Sequence, residues 1–225
     1  MLINAFAFID TRVDKFDLMK DLSLTTFLKI AAMPTTQGKL GVLSRMHNGA
    51  GGYDFYKRMK LAAREVARGE IPSEEILGKL ANIKRASERV HNLQMATQFT
   101  GWWSSITDAV ARPDRPEGVY KLAGMAFGIR LVPELVYSQS GEIYVTYLWA
   151  MNLPKLTKQI AGMGLYMLRS ELAERAFKQA KFQFLNLRNL EMFGEDNVTN
   201  QTASLLNADI SQINAIWIEV SQKPS

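Results

Sequence analysis

The chain has 225 residues, 47% hydrophobic and 22% charged, with a net charge of +5 at pH 7 and no cysteine. That length and balance suit one large domain or two small ones with a sizeable core, and argue against a disordered or membrane-spanning chain. The absence of cysteine excludes disulfides, thiol catalysis and cysteine-held metal sites, and it fits a cytoplasmic location.

Leu2 to Ile9 reads as a short strand or buried lead-in. No basic residues precede it and it runs into Asp10 and Asp14, so it is not a secretory signal. Through 13–32, Val13, Phe16, Leu18, Met19, Leu22, Phe27, Leu28 and Ile30 recur at helical spacing, and Pro34 closes the segment. Residues 35–52 hold five glycines and read as a loop with a short strand at Leu40 to Leu43.

Tyr53 to Gly69 is the most informative element. The spacing predicts a helix with Lys57, Lys60, Arg64 and Arg68 in one stripe and Phe55, Met59, Ala62 and Val66 opposite. The charge excess supports attention here. Residues 1–112 carry 16 Lys and Arg against 11 Asp and Glu, whereas residues 113–225 carry 11 of each. Such asymmetry favours an anionic partner and says nothing of fold.

Ile71 to Glu75 predicts a helix start, with Ser73 as N-cap. A longer helical region spans Lys84 to Ala111, opening with the second basic cluster Lys84, Arg85 and Arg89. Its apolar stripe changes phase from Ala86, Val90 and Leu93 to Met95, Phe99, Trp102, Ile106 and Val110. The helix either breaks near Thr97 to Gly101 or meets different neighbours at its two ends. Prolines and glycine then make Arg112 to Gly118 a linker.

Beyond it the period changes. Ile129 to Tyr137 and Glu142 to Ala150 read as two strands joined at Ser138 to Gly141, with Ile143, Val145, Tyr147 and Trp149 alternating onto one face. A helix from about Lys155 to Ala180, a third strand from Lys181 to Asn189 and a final helix from about Asn200 to Val220 follow. The last carries the stripe Leu206, Ile210, Ile213, Trp217 and Val220. The fold class is therefore α+β. A mainly helical region (1–112) precedes a β-β-α-β-α region (119–225), the two integrated into one domain with the small sheet packed on the C-terminal helices.

Local motifs exclude several chemistries. The Asn48 to Gly52 loop lacks Walker A spacing, since Gly38-Lys39 precedes Leu40, and the dinucleotide pattern fails at Asp54. His47 and His91 are isolated, so no metal or cofactor site is predicted. A metal-dependent nuclease core would need acids on adjacent strands plus a lysine, commonly as acid-x-lysine. Glu134 and Glu142 are present, but the second strand contains no lysine. No catalytic residues are assigned.

The leading expectation is a non-enzymatic intracellular protein, such as an accessory subunit, that binds DNA or RNA. Its contacts would come from Lys57, Arg58, Lys60, Arg64 and Arg68, joined by Lys84, Arg85 and Arg89. Four phosphate contacts would give a log–log salt slope of about −3.6 on duplex DNA. Tyr53 and Tyr56 could stack on single-stranded bases. The alternative is a protein–protein or homo-oligomeric module in which Trp102 and Trp103 mark the partner surface. An enzyme with a site not readable from local motifs comes third. No membrane insertion is expected, because no run approaches the roughly 18 apolar residues of a spanning helix.

Overall fold

The computed structural model describes residues 21–49, 54–174 and 177–222. The proposed lead-in at Leu2 to Ile9, and Tyr53, lie outside them. Among the described residues the fold is α+β, with seven α-helices and two sheets.

The described chain opens with β1 (Leu22–Ser23) and α1 (Leu24–Ala31), where the Ser23 hydroxyl accepts the Thr26 N–H and caps the helix. Residues expected to loop form α2 (Thr36–His47) instead. Each internal glycine weighs about 1 kcal/mol against helix relative to alanine, yet Gly38 and Gly41 both lie within it. The compensation is tertiary. Thr35 caps the start, Leu43 is fully buried, and Lys39 reaches α7 (Thr202–Gln222) through Gln212 (2.6 Å) and Asp209 (3.5 Å).

The basic helix is α3 (Lys57–Ala67), followed by α4 (Glu75–Ala81) and α5 (Ala86–Ser105). Ser73 does not cap α4, whose N-cap is Glu74; the Ser73 hydroxyl turns to the Glu74 carboxylate at 3.2 Å. α5 runs unbroken through Thr97 to Gly101. The phase change is resolved by burying the polar residues Glu88 and Asn92 in its first half and Met95, Ala96 and Phe99 in its second, while Val90 is 61% exposed.

Val110 and Ala111, expected to end that helix, form strand β2 (Val110–Ala111), and β3 (Gly118–Tyr120) follows the proline-rich loop. The expected strand from Ile129 to Tyr137 divides into β4 (Ile129–Leu131) and β5 (Leu135–Gln139), which join different sheets. Pro133 lies at the division, where a missing N–H interrupts a ladder. Next come β6 (Glu142–Trp149), α6 (Lys158–Leu172), β7 (Lys181–Asn186) and β8 (Glu191–Phe193), with α7 closing the described chain.

The small sheet has the order β1-β4-β3, and the main sheet the order β2-β5-β6-β7-β8. In the main sheet β6 and β7 are parallel, connected through α6, while the other neighbours are antiparallel. The alternation of β6 places Val145, Tyr147 and Trp149 in a core with α1, α2, α6 and α7. Leu148 and Tyr144 face a second core with α3, α4 and α5. Both faces of the main sheet are thus covered by helices. Each core draws on residues before and after the 112–118 segment.

Candidate nucleic-acid interface

α3 lies against α5 and the main sheet. Met59, Ala62, Ala63, Val66 and Ala67 are buried, leaving Lys57, Arg58, Leu61, Arg64, Glu65 and Arg68 along the outward side. At about 100° per residue, the centre of that outward side falls between Lys57 and Leu61. Lys60 stands a quarter turn away from it, on the flank that turns toward the sheet.

That displacement changes what Lys60 does. Its side chain is 12% exposed, and its ammonium lies 3.0 Å from the Glu134 carboxylate, itself 5% exposed. The same ammonium sits 4.6 Å above the Tyr147 ring, a cation–π contact. Glu134 also accepts the Leu148 N–H at 2.8 Å, just past the point where the β5–β6 ladder ends at Leu135 and Thr146. The Tyr147 hydroxyl meets Thr25 at 2.8 Å. Burial alone would lower the Lys60 pKa; the charges of Glu134, Tyr147 and Asp54 outweigh it and hold the ammonium well above the ordinary lysine range. Lys60 is a charged tie between α3 and the sheet.

The same corner answers the question of a hydrolytic core. Continuing the β5–β6 register by one pair sets Glu134 opposite Tyr147, so an acid-x-lysine pattern would fall on Tyr147, Leu148 and Trp149. Here those positions hold a phenol, an alkyl chain and an indole. Glu142 is at the other end of the hairpin, bonded to Tyr144 and Lys181. The corner therefore holds one carboxylate, neutralised by a lysine from a distant helix. Among the described residues, no group of three or more histidines and acids converges.

Asn92, fully buried on α5, accepts the Met59 N–H at 3.1 Å and donates to the Phe55 and Glu88 carbonyls at 2.8 Å. It fixes the first turn of α3 where no side chain caps that helix. Tyr56 is half-buried, and its hydroxyl accepts from Arg188, whose Nε donates to the Ala150 carbonyl at 3.0 Å.

The outward cations differ in their company. Lys57 and Arg58 are exposed, Arg64 is half-buried, and none of the three has an acidic partner among the described residues. Arg68 lies 3.8 Å from Glu70, while Glu65 binds Lys79 of α4. At the start of α5, Lys84 and Arg85 are exposed, and the Arg85 guanidinium lies 6.0 Å from the Phe55 ring centroid. Arg89 turns back to donate to the Ile83 carbonyl at 3.0 Å. The two basic clusters thus meet around Phe55, which also touches His91 with ring centroids 5.8 Å apart.

Trp102 and Trp103 are both half-buried. They pack on Phe99 and meet the edge of Tyr137, which stacks on Tyr144 with centroids 5.2 Å apart. Tyr147 and Trp149 are buried core residues. Among the described residues no helix is long and apolar enough to cross a membrane. Comparison of the sequence with protein-family models and with curated proteins finds no match in either.

Proposed function

We propose that this chain is a non-enzymatic nucleic-acid-binding protein that holds a phosphate backbone along the outward face of α3. The observation that carries this reading is the row Lys57, Arg58 and Arg64, cations without acidic partners among the described residues along one helix face. Arg68 continues the row at the helix end, so the track spans about 16 Å at 1.5 Å per residue. Lysine and arginine arranged this way neutralise successive phosphates and release counterions. Arg85 and Lys84 extend the positive surface past Phe55. Lys60 supports the row from beneath and is not a member of it.

The donor set at the sheet corner supports the non-enzymatic part of this reading in one respect. A hydrolytic metal site draws on several carboxylates, whereas Glu134 stands against an ammonium and a phenol. The half-exposed Trp102 and Trp103 favour a second reading, in which α5 presents a partner-docking surface.

Fluorescence anisotropy with a labelled mixed-sequence oligonucleotide at low salt tests the first reading. Binding should be lost in the Lys57→Glu/Arg58→Glu/Arg64→Glu variant, and binding that survives it would overturn the proposal. A solution mass above that of one chain, lost on Trp102→Ser/Trp103→Ser, would favour the second.

A further inference from the structure

Phe55 lies just ahead of α3 and shares the apolar stripe that the sequence predicts for that helix, yet among the described residues it joins neither hydrophobic core. Met59, Ala62 and Val66 of the same stripe are buried, whereas Phe55 is half-buried. Its ring neighbours are polar or charged. Tyr56 meets it edge-on at 5.2 Å between centroids, the exposed His91 at 5.8 Å, and the exposed Arg85 places its guanidinium 6.0 Å from the ring centre. Tyr56 is engaged in turn by Arg188, 5.6 Å from its own ring centre. The backbone under Phe55 is held in place: its carbonyl accepts from the buried Asn92 at 2.8 Å, and Asp54 accepts the next N–H, that of Tyr56, at 3.1 Å. Exposed cations follow it in the chain as Lys57 and Arg58, and Lys84 stands next to Arg85 at the start of α5.

We propose that Phe55 is a stacking platform for an unpaired base, so that the strand held along α3 is a single strand. This rests on the nucleic-acid reading above and names the form of nucleic acid that the surface takes. A base stacks on an aromatic ring whatever its identity, because every base has a π-face. Inside a duplex those faces are covered by neighbouring bases, and a single strand can splay one outward onto a side chain. Arg85 widens the platform, since a guanidinium plane also stacks on bases. An aromatic ring beside unpaired cations is the combination that holds single strands, with the charges following the phosphates while the ring takes a base. Asn92 binds both the Phe55 carbonyl and the Met59 N–H, which fixes the ring relative to the α3 cations. Ring and charges therefore meet a strand with little further ordering.

The test measures one mixed-sequence DNA oligonucleotide as a single strand and as a duplex with its complement, with single-stranded RNA of the same sequence as a third probe. Phe55→Ala should weaken single-strand binding about tenfold and leave duplex binding within about twofold. The salt slope should stay that of the parent, since stacking releases no counterion. Phe55→Leu keeps an apolar side chain without a π-face and should lose nearly as much. Phe55→Trp should keep single-strand affinity, and its added indole emission should be quenched by a single strand and not by the duplex. A loss with either the DNA or the RNA strand supports the platform. Affinity for both strands unchanged in Phe55→Ala and Phe55→Leu, or a loss shared equally by the duplex, overturns the platform and leaves the backbone reading standing. Added emission in Phe55→Trp that saturating single strand does not alter overturns it in the same way. If Phe55→Ala fails to fold, Phe55→Leu and Phe55→Trp decide the matter. If neither single strand nor duplex binds the parent chain, the nucleic-acid reading falls and the platform with it.

Discussion

Replacing Lys60 with methionine separates two roles for this residue that a helical wheel cannot distinguish. In the folded chain its ammonium is paired with Glu134 and shielded beneath α3. A methionine side chain in its place would fill much the same volume and leave the Glu134 carboxylate in a water-poor corner, with the Leu148 N–H as its remaining polar partner. Removing one member of a buried ion pair costs about 3–5 kcal/mol. At about 2–4 °C per kcal/mol for a chain of this size, the midpoint of thermal unfolding should fall by about 10 °C. Adding Glu134→Gln discharges the orphaned acid and keeps an acceptor for Leu148, so most of the loss should return. Urea unfolding of the parent, both single variants and the double variant closes the cycle, with oligonucleotide binding measured alongside. A solvated Lys60 in a surface row would behave differently, with stability changing by under about 1 kcal/mol and the salt slope shrinking by about 0.9. That outcome would refute the buried tie.

Four further outcomes follow from other parts of the molecule. Gly41→Ala on α2 meets open space and should stabilise by about 0.5–1 kcal/mol, whereas Gly162→Ala on α6 would set a Cβ 2.4 Å from the Asn197 carbonyl oxygen and should destabilise; denaturant midpoints report both. Asn92→Ala strands the buried Met59 N–H and should cost about 2–4 kcal/mol, visible as earlier hydrogen exchange in the first turn of α3. Burial raises the phenol pKa of Tyr137 and Tyr147 above that of an unfolded tyrosine near 10. Because the unfolded chain then loses those protons first, stability should hold up to about pH 10 and fall above it, with both phenols absent from the tyrosinate absorbance until unfolding. The Lys60 pair acts in the same direction. Its contribution is complete below the unfolded lysine value near 10.4 and is lost only as pH rises through the higher folded one.

Much of the frame is legible in the residues. The α7 stripe of Leu206, Ile210, Ile213, Trp217 and Val220 is buried throughout, and the β5–β6 hairpin turns where Ser138 to Gly141 predicts. α2 is hidden because glycine propensity points the wrong way and its compensation comes from α7, where Gln212 lies 173 positions beyond Lys39. The split of β4 from β5 is marked by Pro133, but nothing local shows that the two pieces enter separate sheets. Within the candidate interface the basic character of α3 could be read directly. The inward turn of Lys60 could not, because its partner Glu134 belongs to a distant segment and the spacing of Lys57, Lys60 and Arg64 suits one stripe equally well.

The most direct test of the nucleic-acid reading is the salt dependence of oligonucleotide affinity. With Lys57, Arg58, Arg64 and Arg68 on phosphates, log Kd against log salt concentration should change with a magnitude of about 3.6 on duplex DNA, the affinity falling as salt rises. Charge reversal at Lys57, Arg58 and Arg64 should abolish binding, while Lys60→Met with Glu134→Gln should keep the parent slope. Undetectable binding at low salt, or a slope that the triple reversal leaves intact, would contradict the account.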